Sequence, residues 1–242
     1  MHEAVDQRLV DIQDEVRDAF GWALDEDRVA AKALVQSASE CVKAVPTWSE
    51  DGRRDTLDTL RIELSSAERV TVLGAAATEQ EAVRASQQEG LIIAADGSVG
   101  ALQVRRRLAC VVSDFDGGAH LHSAAEEGVP IVAHGHGDNI QRSALALSEW
   151  SQFDTPPPLV LTHQTPTSCH GAHNFGGFTD GDRAVCFALA MGVNPQNINL
   201  VGFSLNTVGK WSATPVPGQK SKKLSWMYRI LERVELHDAV VH

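Results

Sequence analysis

The sequence lacks any run of apolar residues that approaches the roughly 18–20 needed to cross a bilayer. Its first residues are acidic and polar, without the basic start and apolar stretch of a signal peptide. These two absences favour a cytoplasmic protein with no membrane partner. An excess of positive charge is missing too. The net charge of −11 argues against binding to nucleic acid or to an anionic membrane.

Several motifs that would assign a common chemistry are also absent. The four cysteines, Cys41, Cys110, Cys169 and Cys186, show no CxxC spacing, so we expect free thiols rather than a disulfide framework. No Gly-x-Ser-x-Gly elbow occurs, which argues against serine-nucleophile chemistry of that type. A Walker loop ending in Gly-Lys-Ser/Thr is missing, so the chain is not an ordinary P-loop kinase.

What the chain does contain is enough apolar residues, 43% of the total, to bury a sizeable core. In the first third, apolar residues recur at helical spacing, as Leu9, Ile12 and Val16 do near the start and Leu60 and Leu64 near the end. We therefore expect residues 1–68 to form an N-terminal helical region and residues 69–242 to form the main domain.

Short apolar runs alternate with helical stretches beyond residue 69. The predicted strands are residues 70–73, 91–95, 110–113, 131–133, 159–162 and 197–201, and the predicted helices between them include 79–88, 99–107, 121–127 and 140–150. Such alternation is typical of βαβ units. The predicted fold class is therefore α/β, a Rossmann-like, mostly parallel sheet with helices on both faces and an added N-terminal helical region. In such sheets, ligands bind beyond the carboxyl ends of the strands.

Aspartates follow the predicted strands at that same edge of the sheet. They are Asp96, Asp114, Asp116, Asp138, Asp180 and Asp182. Crowded carboxylates repel one another and their pKa values rise, and a divalent cation relieves that repulsion. Oxygen ligands beside glycine-rich backbone suit Mg²⁺ that carries a nucleotide phosphate. Asp114 and Asp116 are two residues apart, so in an extended segment they would face the same way.

Each of these clusters also permits a structural interpretation. An Asp-Gly pair is often only a turn. Thr179 and Asp182 have the spacing of a helix capping box, and Asp138 with Asn139 could cap the helix that follows them. Zinc is a rival to Mg²⁺, because five histidines lie close in the sequence: His134, His136, His163, His170 and His173. Their spacings match no compact zinc motif, which leaves Mg²⁺ favoured.

Lysines cluster near the end of the chain. Lys210 follows a glycine, and Lys220, Lys222 and Lys223 precede the last predicted helix. They are either solvated surface residues or phosphate contacts, since lysines and helix N-termini both favour anions. The loop of residues 207–219 between them carries glycines and prolines, including Pro215, and could close over a substrate.

Four strings in the sequence resemble those of the archaeal 6-hydroxymethyl-7,8-dihydropterin pyrophosphokinases. They are Ala-Ala-Asp-Gly at residues 94–97, Ser-Asp-Phe-Asp-Gly at 113–117, His-Gly-His-Gly-Asp-Asn at 134–139, and Asn-Phe-Gly-Gly-Phe-Thr-Asp-Gly-Asp-Arg-Ala at 174–184. The resemblance spans residues 70–236 and is weaker in the N-terminal helices. That family is distantly similar to the thiamin pyrophosphokinases.

The resemblance implies a reaction and its partners. ATP would transfer its β,γ-diphosphate to 6-hydroxymethyl-7,8-dihydropterin, a reduced pterin alcohol, with Mg²⁺ as cofactor. The products would be AMP and the pterin diphosphate, which feeds tetrahydromethanopterin or folate biosynthesis. Other interpretations stay open: a pyrophosphokinase acting on another alcohol such as thiamin, or a noncatalytic nucleotide- or pterin-binding protein. The sequence also leaves open whether the chain forms a homo-oligomer.

The resemblance also implies roles for individual residues. Asp114 and Asp116 are the first candidates for Mg²⁺, with Asp138 as a third ligand. Asp138, Asp180 and Asp182 are further candidates for metal or for the proton of the substrate hydroxyl. The candidates for binding nucleotide or substrate are Asp96, Gly97, Asn139, Gly176, Gly177, Arg183 and Lys210.

The chain departs from the family pattern in two places. Relatives usually have a Gly-Pro-Ser turn after the first strand, where this chain has Gly-Ala-Ala-Ala-Thr at residues 74–78. We expect Thr78 to cap the following helix, while a phosphate role for this turn is open. The loop of residues 203–210 also lacks the acid that relatives tend to place there.

Overall fold

A computed structural model of the chain describes residues 6–207, 209–212 and 219–241. Its centre is a six-stranded sheet in which each pair of neighbouring strands is parallel. The strands are β1 (Val70–Leu73), β2 (Leu91–Ala95), β3 (Leu108–Ser113), β4 (Ile131–Gly135), β5 (Leu159–His163) and β6 (Ile198–Val201). They lie in the order β5-β4-β3-β2-β1-β6.

Helices cover both faces of this sheet. In the described residues they are α1 (Gln7–Phe20), α2 (Leu24–Glu40), α3 (Glu50–Ser66), α4 (Glu79–Gln87), α5 (Gly118–Glu126), α6 (Ile140–Trp150), α7 (Asp180–Ala190) and α8 (Gln219–Arg233). Short 3₁₀ helices lie at Pro46–Trp48, Asp96–Ala101, Pro195–Asn197 and His237–Ala239. The predicted α/β fold class is confirmed.

Two apolar clusters hold the layers together. On one face, α2, α4, α5 and α6 pack on the sheet, with Leu34, Leu121 and Leu147 fully or almost fully buried. On the other face, α3, α7 and α8 do the same through residues such as Leu60 and Phe187. Each buried side chain of this size contributes about 1.5–3 kcal/mol through the hydrophobic effect. The sheet is therefore enclosed, and its strands are apolar on both faces as in other parallel sheets.

The N-terminal helices belong to these layers. Helix α2 packs in the first cluster and α3 in the second, on opposite faces of the sheet. Helix α1 adds an outer layer, where Leu9, Ile12 and Val16 pack against α7 and α8. The division at residue 68 stays a prediction. In the structure, α2 and α3 belong to the sheet's two cores, whereas α1 packs outside them.

Most predicted elements form within one to three residues of their expected bounds, and β1, β2 and α6 match them. The helix predicted for residues 99–107 is wrong, because the chain there forms the short 3₁₀ helix Asp96–Ala101 and then irregular backbone up to β3. Tight packing explains the difference. A Cβ atom at Gly100 would lie 2.5 Å from the ring of His120, and one at Gly97 would lie 2.4 Å from the carbonyl oxygen of Trp211.

None of the helices in the described part of the chain is both long enough and apolar enough to cross a membrane. The prediction of free thiols is confirmed, because none of the four cysteines forms a disulfide. Cys110 and Cys186 are buried.

The order of the strands creates a switch point at β1. The chain runs from β1 through to β5 in one direction and then returns, so that β6 pairs with the other side of β1. The loops after these two strands are joined, because the amide of Ala76 donates to the carbonyl of Gly202 at 3.0 Å. Open α/β sheets bind ligands in the crevice at such a point.

Candidate active site at the carboxyl ends of the strands

Three carboxylates converge beyond the ends of β2 and β3. Asp96 follows β2, Asp114 and Asp116 follow β3, and one oxygen from each lies within 4.8 Å of the others. Asp180, the first residue of α7, lies near them, and its pKa is raised well above the ordinary value by burial and by the charges of Asp114 and Asp116. The sheet edge therefore brings together four of the six aspartates of the predicted cluster, namely Asp96, Asp114, Asp116 and Asp180.

A turn brings these carboxylates together. Asp96 and Phe115 both have left-handed backbone, with φ values of 47° and 73°, which is costly for residues other than glycine. The hydroxyl of Ser113 accepts from the amide of Phe115 at 2.8 Å and donates to Asp96. The ring of Phe115 is buried and stacks on Trp150, with centroids 5.5 Å apart, which offsets the strain. The extended segment expected for residues 114–116 is therefore replaced by a turn.

The electrostatics of the cluster suit a divalent cation. Burial and the neighbouring carboxylates Asp180 and Asp116 raise the pKa of Asp96 well above its ordinary value. Burial also raises the pKa of Asp116, with a further contribution from Asp114. Within the described residues, one buried oxygen of Asp114 and one of Asp180 have no hydrogen-bond partner. The oxygen of Asp114 lies 4.0 Å from a guanidinium nitrogen of Arg142. Carboxylate oxygens without hydrogen bonds match the hard ligands that Mg²⁺ prefers.

His136 connects this cluster to Asp138. Its Nε2 atom lies 2.9 Å from an oxygen of Asp114, and its Nδ1 atom lies 3.0 Å from an oxygen of Asp138. Although burial favours the neutral ring, these two carboxylates raise the pKa of His136 to about 9. Burial also opposes ionisation of Asp114, but the histidine lowers the pKa of that carboxyl below its ordinary value. Asp138 thus lies beyond the three-carboxylate cluster, in contact with the histidine and exposed to solvent.

A cleft of about 340 Å³ opens over the cluster. Its lining includes small residues of the loops after β1 and β6, among them Gly74, Ala75 and Gly202. Aromatic residues also line it: Trp22, Phe178, Phe203 and Trp211. Four further lining side chains are basic: His136, Arg183, Lys220 and Lys223. The cleft therefore combines the acidic cluster with basic and aromatic side chains.

The chain, including the cleft and its acidic cluster, is similar in sequence to two named archaeal proteins. The chain is 34% identical over 224 residues to the 6-hydroxymethyl-7,8-dihydropterin pyrophosphokinase of Pyrococcus furiosus, which covers 88% of this chain and 87% of that protein. This chain belongs to the same family. The protein of that name from Methanothermobacter thermautotrophicus is 32% identical over 162 residues, 63% of this chain and 66% of the relative. No protein-family model matches the sequence.

Four of the predicted site residues of this pyrophosphokinase family member make capping or packing contacts in the fold, and their site roles stay predictions. Asp182 is fully buried, and its carboxylate caps α7 by accepting hydrogen bonds from the amides of Phe178 and Thr179 and from the hydroxyl of Thr179. The capping box that the sequence allowed is thus confirmed. A Cβ atom at Gly176 would lie 2.6 Å from the Cβ of Leu9, and the other close-packed glycines, Gly97 and Gly177, lie against Trp211 and Arg183. None of the four lines the described cleft.

Asn139 is fully buried, and its side chain forms three hydrogen bonds to the backbone of two loops. Its amide nitrogen donates to the carbonyls of His134 at 2.7 Å and Asp114 at 3.1 Å. Its side-chain oxygen accepts from the amide of His136 at 3.1 Å. Asn139 therefore holds the loops after β3 and β4 together. It does not cap α6 with its side chain, as the sequence had allowed.

Lys210 lies outside the cleft. Its ammonium is 2.7 Å from a carboxylate oxygen of Glu79 and 4.5 Å from the ring centroid of Trp211, and its side chain is 68% exposed. Lys220 and Lys223, from α8, line the cleft instead. Residues 208 and 213–218 of the predicted loop, which include Pro215, lie outside the described residues. Thr78 caps α4 in a capping box with Glu81, as expected.

The zinc interpretation has no counterpart in the part of the chain that the structure describes. There, the group of three or more potential metal ligands is the aspartate cluster, without a histidine. His134 is buried and its Nδ1 atom lies 2.9 Å from the hydroxyl of Thr162.

Sequence reasoning missed a buried network that joins the N-terminal helices to the site. Arg17 donates to Asp27 at 3.1 Å and to the carbonyl of Gln164 at 2.7 Å. Gln164 bridges Asp27 and Arg183, donating to the first and accepting from the second. Asp27 also accepts from the amide of Gly137 at 3.1 Å, next to His136. The sequence offered one weak signal for this network, the fainter family resemblance in the N-terminal helices.

Proposed function

We propose that this protein transfers the β,γ-diphosphate of ATP to 6-hydroxymethyl-7,8-dihydropterin, giving AMP and the pterin diphosphate. The observation that carries the proposal is the match to a relative of that name over 88% of the chain. The unpaired carboxylate oxygens at the sheet edge support it, because polyphosphate transfer depends on neutralised and positioned charge. The product would feed tetrahydromethanopterin or folate biosynthesis, and we place the reaction in the cytoplasm.

Asp96, Asp114 and Asp116 are the residues that would hold Mg²⁺. When bound there, Mg²⁺ would neutralise charge on the phosphate oxygens and relieve the repulsion among the carboxylates. His136 orients Asp114 from the side away from the cluster, as second partners of metal ligands do. The role of Asp138, in turn, would be to orient His136.

The remaining side chains have their own tasks in the transfer. The hydroxymethyl oxygen of the pterin attacks the β-phosphorus of ATP, and the bond from that phosphorus to the α-phosphate oxygen breaks to release AMP. Asp180 would accept the hydroxyl proton, because it lines the cleft and one of its carboxylate oxygens is buried without a hydrogen-bond partner in the described residues. Arg183, Lys220 and Lys223 line the cleft and would contact the phosphates.

A comparison of acceptors tests this proposal. The purified protein is incubated with ATP, Mg²⁺ and either 6-hydroxymethyl-7,8-dihydropterin or thiamin, and AMP is measured by chromatography. We expect AMP formation with the pterin and only background formation with thiamin. A higher kcat/KM for thiamin would assign the enzyme to another acceptor. Binding of ATP and pterin without any turnover would mean a noncatalytic binding protein.

A further inference from the structure

Trp22 differs from the other tryptophans of the chain in its exposure. It is 39% exposed, whereas the other four are at most 8% exposed: Trp48, Trp150, Trp211 and Trp226. It lies in the short link between α1 and α2 and borders the cleft. Leaving so large an apolar side chain in water forfeits hydrophobic stabilisation, and a ligand that covered the ring would recover it.

Neighbouring rings hold Trp22 in a fixed orientation. Phe20 stacks on it with centroids 4.6 Å apart and an interplanar angle of 24°. The ring centroid of Phe178 lies 5.9 Å from that of Trp22, with an interplanar angle of 49°. Trp22 and Phe178 both line the cleft, whereas Phe20 does not. We call Trp22 and Phe178 the aromatic wall. The ammonium of Lys223 lies 5.8 Å from the ring centroid of Trp22 and 5.9 Å from that of Phe178, so a cation already occupies a position over the wall.

We propose that the aromatic wall is the subsite that stacks the flat ring of the pterin alcohol, an inference that rests on the proposed function. Both substrates contain a flat heteroaromatic ring, so stacking alone does not choose between them. The choice follows from how far each ring lies from the reacting phosphorus.

The distance from ring to reacting atom favours the pterin at this wall. The attacking oxygen of the pterin is joined to its ring through a single methylene group. The adenine of ATP is separated from the β-phosphorus by the ribose and the α-phosphate. The pterin ring must therefore lie next to the carboxylates, whereas adenine lies farther away. Phe178 meets this requirement, because Asp180 follows it by two residues and faces the charges of Asp114 and Asp116.

The basic side chains of the cleft suit the polyphosphate of ATP. Lys220 lines the cleft, and its ammonium donates to Ser212. Arg183 lines the cleft as well. Phosphates at these side chains and the pterin ring at the aromatic wall would bring the two substrates together at the three carboxylates.

Steady-state kinetics of Trp22→Ala, Trp22→Phe and the control Leu145→Ala test this inference. Leu145 is an exposed apolar residue of α6, 73% exposed, that does not line the cleft. We expect Trp22→Ala to raise the KM for the pterin about tenfold or more, in line with the loss of one stacked base. Trp22→Phe should recover most of the affinity, and the KM for ATP should stay within about twofold, the effect of a group with no direct contact. Leu145→Ala should match the wild type in both values.

Other results would overturn the inference. A raised KM for ATP with an unchanged KM for the pterin would place adenine on the wall. If neither the KM for the pterin nor the KM for ATP changes in Trp22→Ala, the aromatic wall binds neither substrate. If the wild type forms no AMP from the pterin, the proposed function fails by itself. Calorimetric titration of wild type and Trp22→Ala with the pterin alone then decides the inference separately, and equal heats of binding would contradict it.

Discussion

The Nε2 atom of His136 lies 2.9 Å from a carboxylate oxygen of Asp114, and its Nδ1 atom is equally engaged by Asp138. A histidine with both nitrogens donating to carboxylates is an imidazolium, which fixes the orientation of Asp114. The other oxygen of Asp114 is buried and has no hydrogen-bond partner within the described residues. That oxygen lies 4.0 Å from a guanidinium nitrogen of Arg142, so His136 and Arg142 engage different oxygens of Asp114.

Replacing His136 should weaken the use of Mg²⁺. In His136→Ala, Asp114 loses the donor that orients it, and we expect the Mg²⁺ concentration for half-maximal activity to rise about 10–100-fold. His136→Gln keeps one donor and should give an intermediate value. A titration of activity against Mg²⁺ measures both. An unchanged Mg²⁺ dependence in His136→Ala would mean that this contact has no part in orienting the ligand.

Asp116→Asn should abolish turnover without harming the fold. The substitution removes one of three mutually repelling carboxylates, so the metal-free variant should melt at the wild-type temperature or above it. Mg²⁺ should raise its melting temperature less than it raises that of the wild type. Calorimetry and the AMP assay measure these effects.

Asp182→Asn is the matched control, since the same chemical change falls on a capping residue. We expect it to destabilise the fold by about 1–2 kcal/mol, because it weakens the cap of α7. It should keep activity below its melting temperature. Near-normal activity of Asp116→Asn at limiting Mg²⁺ would show that the metal lies elsewhere.

The stabilisation by Mg²⁺ should grow as pH rises. Burial and like charges raise the pKa values of Asp96 and Asp116 in the folded protein, so the folded state keeps protons that the unfolded chain releases above its ordinary value of 3.8. The stabilisation that these two carboxyl groups give the metal-free protein should therefore fall as pH rises from that value through the raised folded values. Mg²⁺ must displace those protons, so its effect is greater where they are already lost. Melting temperatures measured with and without Mg²⁺ at mildly acidic and mildly alkaline pH test this prediction. A larger increase in melting temperature with Mg²⁺ at acidic pH would contradict it.

Lys220 rather than Lys210 should contact the phosphates of ATP. Lys220→Ala should raise the KM for ATP about tenfold, as the loss of a hydrogen bond to a charged group does. Lys210→Ala breaks only an exposed pair with Glu79 and should change the KM by less than about twofold. Initial rates measured over a range of ATP concentrations give the KM of each variant. The reverse order would restore the sequence-based assignment of Lys210.

The roles of these two lysines illustrate what the sequence alone can and cannot predict. Apolar runs such as residues 70–73 and 91–95 predict strands correctly, since a parallel sheet needs continuous burial. The position of Lys220 depends on how α8 packs across α7, a long-range contact with no local signal. The failed helix at residues 99–107 has the same cause, because the helical pattern there yields to close packing around Gly100.

The candidate site was predictable to a similar extent. The polar residues after each strand place Asp114 and Asp116 at one edge, because the ends of parallel strands coincide. The sequence allowed Asp182 to be either a site residue or a helix cap, and the structure shows it turned inward to cap α7, while Asp180 borders the cleft. The sequence could not show that Asp27 and Arg17 of the N-terminal helices support the loop at Gly137.

The most direct test of the account is the identity of both products. The protein is incubated with ATP, Mg²⁺ and 6-hydroxymethyl-7,8-dihydropterin, the nucleotides are separated by chromatography, and the pterin product is examined by phosphorus NMR. We predict equimolar AMP and pterin diphosphate, formed only with Mg²⁺ and not by Asp116→Asn. Stoichiometric ADP with a pterin monophosphate would contradict diphosphate transfer and the function proposed for this site.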